Sequence, residues 1–236
     1  MVRQTIIIDN SEYSRNGDFQ PNRYQQEIDC SDYFVRNLKN NSGNAHTAII
    51  AGAGDNPYVV LADAETSAIY HEKLFIKGKF NILTSIEISL LTSPEEIILF
   101  HCSPITDSLK QDPEYKNKLT KLLKKLKKNN ISLEIINFGE IDTNTDFWES
   151  IIQETGANGS DLIKLMNFMS EGGNLLWEQI SDYKQRLIFN GNETGNNEFM
   201  EYGGIDPSMD PELAMALRMS LEEEQQRQAR VREESS

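Results

Sequence analysis

The chain has 236 residues, 38% of them hydrophobic, and carries 37 acidic against 23 basic side chains for a formal net charge of −14. That length suits one domain of ordinary size with a short appendage, and the negative balance excludes nucleic acid as the main partner, since gripping phosphates needs a dominant basic surface. No stretch approaches the roughly 20 consecutive apolar residues of a membrane span, and the short run at 6–8 meets Asp9 too soon to serve as a leader. Cys30 and Cys102 lie far apart without metal-type spacing and read as buried thiols in a reducing compartment, so a cytoplasmic and nuclear protein without a membrane partner is expected.

Residues 5–8 form a short apolar, β-branched strand that ends at Asp9, and 22–38 follow with a helical pattern behind Pro21. The apolar runs 46–51 and 58–62, joined by Gly52-Ala53-Gly54-Asp55-Asn56-Pro57, predict an antiparallel hairpin. Residues 66–76 and 84–91 read as helices, and 97–102 as a fully apolar strand closed by Ser103-Pro104. The clearest helix comes next. Asp112 can cap it, Pro113 suits the first helical position, and Leu119, Leu122, Leu123 and Leu126 recur on one face while lysines fill the others. Residues 131–138 supply another buried strand, 146–154 a helix, 162–166 a last strand and 175–180 the core of a last helix. Strands alternating with helices predict an α/β fold, a doubly wound, mostly parallel sheet with one antiparallel edge strand.

The text changes after Asn190. From Gly191 onward there are eleven acidic and four basic residues, and Gly, Asn and Glu dominate as far as Gly204. The expected organisation is therefore a domain over 1–190, a flexible acidic linker over 191–209, a helix over 210–228 and a disordered tail over 229–236. Asp210 can cap the new helix, Pro211 fits its first turn, and Glu212 complements the positive end of its dipole. Leu213, Ala216, Leu217 and Ser220 then fall on one face. Two of these four are small, which lets the backbone press closely on a flat apolar patch of a partner. Acidic residues at both ends, Glu212 and Glu222 to Glu224, suit a basic rim around that patch. The plainer alternative is a solvated acidic helix that binds nothing.

The run Asp210-Pro211-Glu212-Leu213-Ala214-Met215-Ala216-Leu217-Arg218-Met219-Ser220-Leu221-Glu222-Glu223-Glu224 resembles a ubiquitin-interacting motif. Its acid, large apolar residue, alanine, serine and closing acid are matched by Glu212, Leu213, Ala216, Ser220 and Glu223, with Met215 and Leu217 inside the alternating centre. The front part is similar to the family of ubiquitin-receptor subunits of the proteasome regulatory particle. The resemblance lies in Ile8-Asp9-Asn10-Ser11-Glu12-Tyr13-Ser14-Arg15-Asn16-Gly17-Asp18-Phe19, in Gly78-Lys79-Phe80-Asn81, in Ser103-Pro104-Ile105 and in Ile135-Ile136-Asn137-Phe138-Gly139-Glu140. Ile205-Asp206-Pro207-Ser208-Met209 matches the approach to the motif. The resemblance implies a von Willebrand factor A domain that docks on regulatory-particle subunits and a terminal helix that captures ubiquitin and polyubiquitin chains. It also implies that a chain with one such motif, as here, lacks the avidity of tandem motifs.

Von Willebrand factor A domains often hold Mg²⁺ through an aspartate, two serines, a threonine and a second aspartate. Here Asp9, Ser11 and Thr84 match, Tyr13 replaces the second serine, and Ser103-Pro104 stands where the second aspartate belongs. A degenerate site without metal is expected, with Asp9, Ser11 and Thr84 bonding one another and the loop backbones. Gly52-Ala53-Gly54 reads as a tight turn and not a phosphate cradle. His101 reads as a core residue, directed to the opposite face of its strand from Cys102. No nucleophile is seen with its base, so no catalysis and no cofactor are expected. Two rival readings keep part of this picture: a ubiquitin-binding adaptor outside the proteasome, and a Mg²⁺-dependent von Willebrand factor A binding module.

Overall fold

A computed structural model of the chain describes residues 2–63, 73–156, 162–170 and 175–191. The chain divides into two units, Met1–Lys184 and Gln185–Ser236. Of the second, only the last turns of a helix ending at Gly191 are described.

Six strands make one sheet: β1 (Val2–Ile8), β2 (Ala45–Ala51), β3 (Tyr58–Leu61), β4 (Glu96–His101), β5 (Ser132–Phe138) and β6 (Ile163–Phe168). Their spatial order is β3-β2-β1-β4-β5-β6, parallel throughout except for β3, which pairs antiparallel with β2 as the hairpin pattern predicts. Both faces are covered, which is why the central strands read as continuous apolar runs. On one face Ile6, Ile8, Ile98, Phe100, Ile136 and Phe138 pack with Ile28, Phe34 and Val35 of α1 (Arg23–Asn41) and with Leu176 and Ile180 of the last helix. On the other, Ile7, Ile97, Leu99, Leu133 and Ile135 pack with three helices. These are α2 (Ile82–Ser89), which supplies Ile82 and Ile86, α4 (Pro113–Lys128) with its four leucines, and α5 (Ile141–Glu154) with Phe147, Trp148 and Ile151. The short α3 (Asp107–Gln111) precedes α4, and the last helix, α6, spans Leu176–Gly191.

Several boundaries move for local reasons. Asp112 caps α4 as expected, its carboxyl accepting from the Glu114 amide at 2.8 Å. Helix α2 begins two residues before the predicted 84 because Asn81 caps it, its side chain accepting from the Thr84 amide. Helix α5 begins at Ile141, not 146; Thr143, Asn144 and Thr145 are weak helix formers, but buried Asn144 is held there by tertiary bonds. A 3₁₀ turn at Glu12–Arg15 and helix α3 carry too little periodicity to be predicted.

The helix expected over 66–76 is corrected where it can be seen. Residues 64–72 lie outside the described residues, and 73–76 are not helical. Their carbonyls are taken by side chains from elsewhere. Tyr58 Oη donates to Lys73 O, Tyr24 Oη to Leu74 O and Asn10 Nδ2 to Phe75 O, at 2.9, 3.2 and 2.6 Å.

Leu123 of α4 is fully buried in the second core. Leu123→Ala is expected to lower unfolding free energy by about 3 kcal/mol in a urea titration, transfer and cavity terms together.

Candidate functional site

Strand β1 is flanked by β2 and β4, and the chain reaches these two neighbours over opposite faces of the sheet. The carboxyl ends of β1 and β4 therefore border the crevice where ligands bind in open α/β sheets. Asp9 ends β1 at this point and is fully buried. Its Oδ2 accepts from the Cys102 amide at 3.0 Å, the Ser103 amide at 2.9 Å and Ser103 Oγ at 2.6 Å, and its Oδ1 accepts from the Ser11 amide at 3.2 Å. A carboxylate offers about four lone-pair sites, two on each oxygen, so three donors fill Oδ2 while Oδ1 holds one.

The metal-site residues predicted from sequence are thus only partly brought together. Asp9 and Ser11 meet. Thr84 does not join them: among the described residues its recorded bond is the amide contact to Asn81, inside the first turn of α2. The partner of Asp9 is instead Ser103, delivered by β4 where a second acid would be needed. Tyr13 points outward, 45% exposed. Two buried oxygens without a hydrogen-bond partner, Ser11 Oγ and Glu27 Oε1, favour a ligand. Against it stand an Asp9 Oδ2 already taken by three protein donors and the lack of a second acid at Ser103. Among the described residues no group of three His, Cys, Asp or Glu side chains is placed to hold a metal ion. The residues present do not fit a Mg²⁺ site.

Glu27, on the inner face of α1, was not anticipated as part of this junction; its helical spacing from Arg23 and Ser31 on an apolar face was the available signal. Its Oε2 accepts from the Asp9 amide at 2.8 Å. Complete burial, and after it the negative charge of Asp9, push the Glu27 carboxyl well above the usual range, against hydrogen bonds from Cys102 and Asp9 and the pull of Arg23. Arg23 sits one turn earlier, 3% exposed. Its Nε and Nη2 donate to Asp18 at 2.8 Å each, and its Nη1 donates to Cys102 O at 2.6 Å and to Glu140 at 3.1 Å. Burial alone would raise the Asp18 carboxyl, but the bonds and charge of Arg23 outweigh it and hold it below its ordinary value. Gly139 leaves the space Arg23 occupies: a Cβ there would lie 2.4 Å from Cζ, and its φ of +79° strains any other residue.

On the other side Asn10 clamps two loops. Its Oδ1 accepts from the Ala53 amide at 2.9 Å, and its main-chain oxygen accepts from the Lys77 amide at 2.9 Å. The Gly52 and Gly54 amides donate to Ile8 O and Lys79 O. All three amides of Gly52-Ala53-Gly54 are therefore committed to the protein, and the segment is a turn with none left to cradle a phosphate. His101 is a core residue: Trp148 Nε1 donates to its Nδ1 at 3.0 Å, and burial lowers its pKa to about 4. Cys102 faces the opposite core, where burial pushes its thiol well up. The residues proposed to bind ubiquitin, Glu212, Leu213, Met215, Ala216, Leu217, Ser220 and Glu223, lie outside the described residues.

Glu27 carries a pH signature. Its folded pKa is raised, so the protein binds more protons folded than unfolded above about pH 4.5, and stability is lost as pH rises through that window. His101 has the opposite sign, its contribution being lost as pH falls from 6.5 toward about 4. Glu27→Gln keeps an acceptor for the Asp9 amide and removes the titration. It is expected to be near-neutral at pH 4.5 and progressively stabilising by pH 8, read from urea midpoints at the two pH values.

No family model matches the chain. It is similar to the 26S proteasome regulatory subunit RPN10 of Saccharomyces cerevisiae, 38% identical over 94% of this chain and 87% of that one. It is also similar to the 26S proteasome regulatory subunit rpn10 of Schizosaccharomyces pombe, 31% identical over 98% of this chain and 93% of that one. Among solved structures, the crystal structure of the SpRpn10 VWA domain superimposes with a TM-score of 0.64 at 23% identity, covering 77% of this chain and 95% of that one. The fold is therefore that of a von Willebrand factor A domain.

Proposed function

As this chain belongs to the Rpn10 family of 26S proteasome regulatory subunits, we propose that it is a non-catalytic ubiquitin receptor of the proteasome regulatory particle, in cytoplasm and nucleus. The von Willebrand factor A domain over 1–190 docks on neighbouring regulatory-particle subunits, and the segment 210–228 binds ubiquitin and polyubiquitin on substrates for degradation. The observation that carries this reading is one continuous similarity. It runs over 94% of the chain, so it reaches beyond the folded domain into the segment that bears the ubiquitin-interacting motif.

The chemistry follows from the motif. Leu213, Met215 and Leu217 supply apolar contact, Ala216 and Ser220 let the helix backbone approach closely, and Glu212 and Glu223 meet basic residues around the patch. One helix buries little area, so a single ubiquitin binds weakly and exchanges fast. A chain of ubiquitins raises the effective concentration and binds better without any new contact. The linker over 191–209 lets the helix search while the domain stays docked. No catalytic step is needed. A receptor of this kind concentrates the substrate beside the machinery that destroys it.

The test is an NMR titration of isotope-labelled ubiquitin with the full chain and with its Ala216→Lys plus Ser220→Lys variant. Wild type is expected to shift resonances on ubiquitin's apolar patch, and the variant to lose at least tenfold in affinity because cations at the two small positions hold the helix off. An unperturbed ubiquitin spectrum with wild type overturns the receptor reading. Failure of the chain to co-sediment with proteasomes leaves a ubiquitin adaptor acting elsewhere.

A further inference from the structure

Helix α4 buries its leucines and turns a row of lysines outward. Lys118, Lys121, Lys124, Lys125 and Lys128 are all exposed and share one face at helical spacing. Lys118 is paired with Glu114 at 2.7 Å, and Lys127, at the edge of the row, donates to Gly156 O. Lys121, Lys124, Lys125 and Lys128 have no ion-pair or hydrogen-bond partner among the described residues. The acids that face this helix are engaged at its first half or its flank: Asp112 caps it, Glu114 holds Lys118 and Glu87 acts on Lys118, while Glu154 bonds Thr120.

Like charges three and four residues apart destabilise a helix. The helix dipole offsets this only in the last turn, where Lys125, Lys127 and Lys128 lie; Lys121 and Lys124 lie before it. Solubility does not call for these cations either, in a chain whose net charge is −14. We propose that the Lys121-Lys124-Lys125-Lys128 face is a docking surface for a row of Asp and Glu side chains on a neighbouring protein. The face is about 10 Å long at 1.5 Å per residue, the span of two turns of an acidic helix. A membrane is disfavoured because the apolar side of α4 is committed to the core and cannot enter a lipid interface. Nucleic acid is disfavoured by the overall negative field. The proposal supplies a contact for the docking role above and rests on that reading only for where the partner is found.

Two arms separate the two claims. In the first, isotope-labelled full chain is titrated with a poly-glutamate peptide, a single-stranded oligodeoxynucleotide and phosphatidylserine vesicles. Poly-glutamate is expected to shift the α4 amides and to bind at least tenfold more weakly to the Lys121→Gln, Lys124→Gln, Lys125→Gln, Lys128→Gln variant. Absent α4 shifts, or tighter binding to the oligonucleotide or vesicles than to the peptide, overturn the proposal. In the second, both proteins are rebound to regulatory particles stripped of this subunit and treated with a carbodiimide, which condenses a lysine amine with a carboxyl to an amide. At least tenfold weaker rebinding of the variant, with unchanged ubiquitin binding and wild-type crosslinks from α4 to Asp or Glu of one neighbour, is the expected result. Equal rebinding of the two proteins overturns the proposal. Failure of wild type itself to rebind sinks the proteasomal reading, while the acidic-partner claim is decided by the peptide shifts.

Discussion

The junction between β1 and β4 depends on a single buried carboxyl. Asp9 accepts from two successive amides and the hydroxyl at the end of β4 while a fourth donor comes from its own loop. Adjacent parallel strands pair along their length, but their ends diverge where the chain leaves over opposite faces. A crevice with orphaned amides would open there without an internal acceptor, since buried backbone groups need partners. Asp9 fills that role. Ser103 in place of an acid completes it, because a hydroxyl donates to Asp9 where a second carboxyl would repel it.

The neighbouring groups are consistent with this constraint. Burial and the nearby Asp9 carboxyl push Glu27 well above the usual carboxyl range, while its Oε2 accepts from the Asp9 amide. Arg23 compensates by binding Asp18, Glu140 and the Cys102 carbonyl at once, which ties α1 to the loops after β4 and β5. Asn10 performs the equivalent service on the β2 side with neutral amide chemistry. The result is a polar cluster in which most donors and acceptors are turned on each other, with Ser11 Oγ and Glu27 Oε1 left unpaired. A region that accepts metal and ligand in other proteins of this fold becomes a lock in this one, which suits a domain whose proposed task is to hold a position.

Charge is distributed in keeping with a division of labour between domain and terminal segment. Acidic residues concentrate beyond Gly191, next to the motif proposed to meet ubiquitin's basic rim, while a compact row of cations stands on α4. Surface charges of this kind contribute little to stability but strongly affect which partners approach and how fast. Folding energy in this chain comes instead from the two apolar cores on either side of the sheet.

Much of this was legible in the sequence where chemistry repeats locally. The amphipathic period of Leu119 to Leu126, the Asp112-Pro113 start, the apolar runs of β1, β4 and β5 and the turn-rich link before β3 each carry their structure within a few residues, because helix and strand periodicity are short-range properties. The resemblance to a ubiquitin-interacting motif is of the same kind, carried by residue types within one short stretch of sequence. Other features needed tertiary structure. Residues 73–76 have a helical composition, yet their carbonyls are claimed by Tyr58, Tyr24 and Asn10, and Thr143 to Thr145 join a helix against their propensity. Thr84 matches a ligand type but is spent on a helix turn, while Ser103 and Glu27, 94 and 18 positions from Asp9, are its actual neighbours. Sequence alone determined most of the strands and helices and carries the motif proposed to bind ubiquitin; the tertiary structure decided which polar groups meet, because contacts between distant residues depend on how the sheet is ordered and not on spacing along the chain.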